Sequence, residues 1–375
     1  MRKAFLTIIL VVILIAAFGA GFMLGLGEAE DTKARFGVAN EAWNVISREY
    51  VDQSKVSAEG LSSGAIEGMI QALDDPYSAY LPPQKYKMTL SDLHGDFTGI
   101  GAYVDIKDEQ FTIIAPIADS PAKKAGILAG DAVLEIDGES TKGMSTTEAI
   151  MLIRGTEGTP VRLLLRHEGE ANPVEITVIR ATIDIPSVTH EMRGDIAYIQ
   201  ISNFTSDTAA ELQPTLEEIT SEGATGIVLD LRYNPGGYLD TVVEVASFFI
   251  REGIVVRVIS NQGEKSQLEV VDTKFHTDLL MIVLVNSHSA SGSEVLSGAL
   301  QDHTRAMIAG ETTFGKGSVN IPHQLSDGSG IYLTIARWAT PSGRLIEGKG
   351  IEPDINIHLE GEEAIDWAIA QLVQL

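Results

Sequence analysis

A cluster of serines and one glycine-flanked lysine are the residues of this 375-residue chain whose types point most directly to chemistry. The serines lie in Asn286-Ser287-His288-Ser289-Ala290-Ser291-Gly292-Ser293-Glu294, the lysine in Gly310-Glu311-Thr312-Thr313-Phe314-Gly315-Lys316-Gly317. A hydroxyl is a poor nucleophile at neutral pH and needs a base beside it. An amine serves as that base only if desolvation or a neighbouring cation keeps it neutral. Either segment alone has an ordinary reading, a serine-rich turn or helix cap and a solvated loop lysine. Their surroundings argue otherwise.

Met281-Ile282-Val283-Leu284-Val285 is short, apolar and β-branched, as a buried strand is, and the serine cluster follows it at once. Glu294 to Leu300 then has helical apolar spacing, so the serines occupy a strand-to-helix turn, where α/β folds present a nucleophile. Ala306-Met307-Ile308-Ala309 reads as the next strand and delivers Lys316 on the loop beyond it. A third buried strand, Gly226 to Leu231, runs into Arg232-Tyr233-Asn234-Pro235-Gly236-Gly237. Its paired glycines let backbone N–H groups approach a ligand closely, as an oxyanion hole requires.

These segments, with Gly298-Ala299-Leu300-Gln301-Asp302 and Gly350-Ile351-Glu352-Pro353-Asp354-Ile355, resemble the carboxyl-terminal processing (tail-specific) serine proteases, in matching order from about residue 36 to about residue 357. The resemblance implies that Ser291 is the nucleophile and Lys316 its base, Ser289 and Ser293 merely flanking. It also implies that Gly292 and Gly237 supply the oxyanion N–H groups. Two positions depart from the family. Gly292 replaces an alanine, and Asn320 replaces a glutamine that helps position the lysine amine. Asparagine carries the same amide on a shorter arm, so its bond to Lys316 is expected to be longer or water-mediated.

Residues from about 95 to 180 resemble a PDZ domain through Gly99-Ile100-Gly101, Ser120-Pro121-Ala122, Gly130-Asp131 to Asp137-Gly138, and a helix near Thr146 to Arg154. A PDZ fold adds an extended chain end to a sheet edge and captures its carboxylate on glycine-loop N–H groups. Thr98, Gly99, Ile100 and Gly101 are expected to form that loop, the helix the other wall. Arg154, at the end of the helix, is expected either to touch the catalytic part or to lie on the surface.

Other chemistries fit less well. Gly310 and Gly315-Lys316 satisfy the spacing of a phosphate-binding loop, but Gly317 stands where a magnesium-binding hydroxyl belongs. A serine-histidine-acid triad would need a G-x-S-x-G elbow, and His288 lies too close in the same turn to face the hydroxyl. With no cysteine and no H-E-x-x-H, neither metal nor cofactor is expected. The net charge of −25 argues against nucleic acid.

Met1-Arg2-Lys3 precedes an apolar stretch, Ala4 to Gly27, in which Thr7 is the only polar side chain. As a helix this stretch spans roughly 36 Å, enough to cross a bilayer core of about 30 Å. Basic residues before it and Glu28, Glu30 and Asp31 after it place the N-terminus in the cytoplasm and the catalytic part outside. The expected organisation is a transmembrane anchor or signal over 1–27, a helical region over 28–90, a PDZ domain over 91–183, an α/β protease core over 184–358 and a C-terminal helix over 359–375. Within the helical region, two apolar stripes, Phe36 to Tyr50 and Leu61 to Leu73, are expected to pack in a core or a dimer, with no site assigned there. The reading is a membrane-anchored serine endopeptidase that takes protein or peptide C-termini. A catalytically silent PDZ scaffold, motivated by Asn320, is the competitor, and homo-oligomerisation stays open.

Overall fold

The computed structural model describes residues 36–107, 110–263 and 265–374, in two compact units divided between Asp75 and Pro76. The expected anchor over 1–27 lies outside the described residues. Among the described residues no helix is long and apolar enough to cross a membrane. The first unit holds helix α1 (36–49) and helix α2 (Ala58–Gln71), the latter capped by Ser57, whose hydroxyl accepts the Gly60 N–H. α2 buries none of its residues, and Phe36, Val45, Ile46, Met69 and Leu73 are all exposed. Among the described residues of this unit the apolar stripes form no fully buried core: Trp43, Leu61, Ile66 and Ile70 are half-buried and the other large apolar residues of the stripes are exposed, since a helical pair of this length has little interior.

The second unit opens with strand β1 (Ala79–Leu81) and helix α3 (Pro83–His94). The PDZ-like part follows: β2 (Asp96–Gly99), β3 (Ala102–Lys107), β4 (Gln110–Pro116), α4 (Pro121–Lys124), β5 (Ala132–Ile136), β6 (Glu139–Ser140), α5 (Thr146–Ile153), β7 (Pro160–Arg166), β8 (Val174–Ile179) and β9 (Ala181–Asp184). Its main sheet runs β3-β4-β5-β7-β8 and closes over its own apolar core, with Ile113, Ile136, Leu163 and Leu165 fully buried. β3 stands at the sheet edge, and among the described residues β2 pairs with β9 alone.

The remaining elements are β10 (Val188–Arg193), β11 (Ile196–Ile201), α6 (Thr208–Ser221), β12 (Gly226–Asp230), α7 (Leu239–Ser247), β13 (Ile254–Ser260), β14 (Lys265–Glu269), β15 (Leu280–Val285), α8 (Gly292–Asp302), β16 (Met307–Gly310), β17 (Ser318–Gln324), β18 (Gly330–Ala339), β19 (Ile355–Asn356) and α9 (Gly361–Leu372). One sheet has the order β10-β11-β12-β15-β16-β19, antiparallel at β10 and parallel thereafter. Alternation along its strands sends Ile227, Leu229 and Val283 to the face covered by α6, α7 and α8, and Val228, Ile282 and Leu284 to the face covered by α9. Burial on both faces explains why β12 and β15 read as unbroken apolar runs. A second, antiparallel sheet, β1-β18-β13-β14 with β17 also on β18, is the part that the sequence reading did not anticipate.

Candidate active site

The turn between β15 and α8 carries Ser291 at φ 51°, ψ −109°, a backbone conformation that costs a non-glycine residue free energy and must be held by its surroundings. Asn234 does much of the holding. It is fully buried, its amide nitrogen donates to Ile201 O at 2.8 Å, and its side-chain oxygen accepts the Gly236 N–H at 2.8 Å. Its main-chain oxygen accepts both the Ala290 N–H at 3.0 Å and the Ser293 hydroxyl at 2.9 Å. One asparagine thus shapes the glycine turn and ties it to the serine turn. Ser289 and Ser293 are fully buried, and their hydroxyls donate to Leu231 O and Asn234 O. They brace the turn.

Gly236 and Gly237 sit at φ 102° and φ 150°, and a Cβ on Gly237 would fall 2.0 Å from Phe204 O. Only glycine fits there. Gly236 packs against Gly292, whose N–H, as the first of α8, has no intrahelical acceptor. Gly237 and Gly292 line one cavity of about 380 Å³ together with Ser291, Lys316 and Asn320, and Leu239, Val295, Val319, Ile321 and Trp338 give it apolar walls.

Glu294 joins the serine turn to the lysine loop. Its fully buried carboxylate accepts the Ser291 N–H at 2.8 Å, the Thr313 hydroxyl at 2.7 Å, the Gly315 N–H at 2.6 Å and the Lys316 N–H at 2.9 Å. Burial pushes this carboxyl above the usual carboxylate range, against the pull of its four donors. Four donors match the four acceptor positions of the ionised group. The Lys316 main chain is also held on its other side, where its oxygen accepts the Trp338 indole N–H at 3.0 Å. The lysine Nζ lies 5.5 Å from the ring centre of Tyr77 and 5.8 Å from that of Tyr332.

Asn320 lies on β17, where its amide nitrogen donates to Tyr77 O at 3.1 Å and to Thr334 Oγ1 at 2.8 Å, while its oxygen accepts the Ser318 hydroxyl at 3.0 Å. Both amide hydrogens therefore go to the segment before β1 and to β18. Glu294, Asn234 and Tyr77 are the site residues that sequence reasoning missed. Glu294 shows there only as the fourth residue of a helix-capping S-x-x-E pattern.

In the PDZ-like part, Thr98 to Gly101 line a groove of about 280 Å³ opposite Ile150 and Ile153 of α5. The loop expected over these four residues is shorter. Thr98 and Gly99 pair with Thr182 and Ala181 as the end of β2, so only Ile100 and Gly101 turn. Gly101 needs its glycine, since at φ 73° a Cβ would meet Ser120 Cβ at 2.4 Å. Arg154 pairs with Asp92 of α3 and lies 5.3 Å over the Phe97 ring. Because α3 packs on β1, β17 and β18, Arg154 reaches the helix that lies on the antiparallel sheet carrying Asn320 and Tyr332.

Residues 195–357 match the model of peptidase family S41, residues 112–167 that of the PDZ domain, and residues 26–84 that of the activating protease CtpB N-terminal domain. The chain is 36% identical over 342 residues to the carboxy-terminal processing protease CtpA of Bacillus subtilis (strain 168), covering 91% of this chain and 73% of that protein. The chain belongs to peptidase family S41. A probable CtpA-like serine protease of Staphylococcus haemolyticus (strain JCSC1435) is 37% identical over 354 residues, covering 92% of this chain and 71% of that one. Among solved structures, a photosystem II D1 C-terminal processing protease superposes with a TM-score of 0.54 at 31% identity, covering 84% of this chain and 91% of its own. A putative S41 protease from Bacteroides fragilis, TM-score 0.53 at 15% identity over 84% of this chain and 89% of its own, shares the fold. This S41 chain is a serine-type peptidase of the carboxy-terminal processing family with a PDZ domain.

Proposed function

We propose that the chain is a membrane-anchored endopeptidase whose PDZ domain holds a protein C-terminus while Ser291, activated by Lys316, cuts the peptide. The observation that carries this is one cavity lined by the strained serine, the lysine and two glycine N–H positions, with a buried carboxylate gripping the main chain of both reactive residues. Ser291 Oγ attacks the scissile carbonyl carbon as its proton passes to Lys316 Nζ, and the carbonyl electron pair moves to oxygen, facing the Gly237 and Gly292 N–H groups. Collapse breaks the C–N bond, and the lysine proton goes to the leaving nitrogen. Water activated by the same amine then hydrolyses the acyl-enzyme. Carrying Met1-Arg2-Lys3 before the apolar stretch, the chain sits in the membrane with this cavity outside the cytoplasm.

The test is turnover of an unfolded protein by the purified full chain in detergent. Wild type should degrade it, with Ser291→Ala and Lys316→Ala each at least about 10³-fold slower. Activity should rise with pH as the lysine loses its proton. Equal inertness of wild type and Ser291→Ala, with both binding C-terminal peptides, would instead establish a PDZ scaffold.

A further inference from the structure

We infer that the rings of Tyr77 and Tyr332 form a two-sided aromatic seat for the Lys316 ammonium, which makes both tyrosines positioning residues. The inference rests on the serine-lysine reading above. Both ring centres lie within about 6 Å of Nζ, the range over which the negative face of an aromatic ring attracts a cation. The two rings reach the amine from separate pieces of chain, one just before β1 and one on β18. Register brings them together: Ala79 pairs with Tyr332, and Thr334 N–H donates to Ser78 Oγ at 3.0 Å. Asn320 then fixes the Tyr77 main chain through its amide nitrogen. This gives the departure from glutamine a role of its own, because the asparagine holds the main chain of the residue whose ring faces the lysine.

The chemistry asks for such a seat. When Ser291 Oγ bonds to the carbonyl carbon, its proton leaves Lys316 as an ammonium in a cavity with apolar walls. An uncompensated charge there is costly, and two ring faces offset the cost without adding an anion that would keep the resting lysine protonated. Other ionisable groups on the surrounding elements include Tyr238 and Asp240 in the cavity wall, His94 of α3, whose ring meets that of Tyr238, His323 of β17, Arg337 of β18, Glu294, which holds the Lys316 main-chain N–H, and Glu347, whose main chain packs on Gly317. Burial keeps the Tyr332 phenol above its usual range, so that ring stays neutral.

The test follows Ser291 sulfonylation by a sulfonyl fluoride against pH in the full chain. Tyr77→Leu and Tyr332→Leu should each move the acid limb about half a pH unit or more towards lower pH, because the ammonium loses a ring face while the site stays apolar. Tyr77→Phe and Tyr332→Phe should keep the wild-type limb. A ¹⁵N-lysine titration of Lys316 reads the same shift independently of reactivity. Should the leucine variants fail to fold, fluorinated phenylalanines at 77 and 332 weaken the ring face at nearly constant shape and should lower the limb with each added fluorine. Unmoved or raised limbs in folded leucine or fluorinated variants overturn the seat alone. If Lys316→Ala is sulfonylated at the wild-type rate, the serine-lysine reading falls instead.

Discussion

The turns around Ser291 and the groove of the PDZ domain both rely on glycine at positive φ, yet one is saturated with internal hydrogen bonds and the other is left open. Around Ser291, the polar groups of Asn234, Ser289, Ser293 and Glu294 are committed to holding main chain. In the PDZ domain, β3 stands at the sheet edge with Tyr103 and Ile106 exposed, a row of backbone groups that an added strand would complete. The difference teaches what each task demands. Stabilising a transient oxyanion needs donors fixed in advance, whereas holding a chain end needs partners still unmet.

The most damaging way to probe that contrast is Glu294→Ala, which strands three backbone N–H groups and a threonine hydroxyl in the interior. It should lower stability by about 3–5 kcal/mol in urea unfolding and reduce kcat by about 10²-fold or more. Wild-type kcat in that variant would break the proposal that Ser291 and Lys316 act together, held through one carboxylate. Gly237→Ala comes next. Its Cβ would collide with Phe204 O and displace the N–H proposed as an oxyanion donor, so kcat should fall about 10²-fold while PDZ peptide affinity, read by fluorescence polarisation, is unchanged.

Gly101→Ala reverses the pattern. Peptide affinity should drop about tenfold, reflecting roughly 1–3 kcal/mol of backbone strain, with Ser291 sulfonylation untouched. The smallest effect concerns pH. In the PDZ domain His167 Nδ1 lies 2.7 Å from buried Asp131, and that hydrogen bond raises the histidine above its ordinary value of 6.5. The pair's stabilisation is therefore complete below that ordinary value and lost as pH rises through the higher folded one. Protection of the PDZ-sheet amides, after correction for base-catalysed intrinsic exchange, should fall on that rise, and His167→Gln should remove the fall. Catalysis should climb over the same direction of pH, so opposite slopes in one molecule would sharpen the comparison.

Much of the catalytic part was legible because its residues sit in contiguous runs: strand, small-residue turn and helix follow one another from Leu280 to Asp302. The glycine turn after β12 was legible for the same reason. Glu294 was visible as a letter but not as a hub, since its partners Thr313, Gly315 and Lys316 arrive from a later loop. Tyr77 was opaque. Nothing local to Asp75-Pro76-Tyr77 announces that β1 will pair with β18, and long-range antiparallel register leaves no periodic mark in a three-residue strand. The groove loop was over-read at Thr98 and Gly99 because glycines suggest turns, whereas pairing with β9 holds both in a strand.

The PDZ domain interrupts a sheet. β1 precedes it in the chain and β18 follows it, yet the two are neighbours, and the ring of Tyr77 comes from the earlier piece. The stretch from 195 to 357 is consequently not a portable cutting module. Excised alone it keeps the hydroxyl, the amine and both glycine turns, and loses β1 with the Tyr77 ring that faces the amine. Transplanting this chemistry to another scaffold means carrying both shores of the insertion.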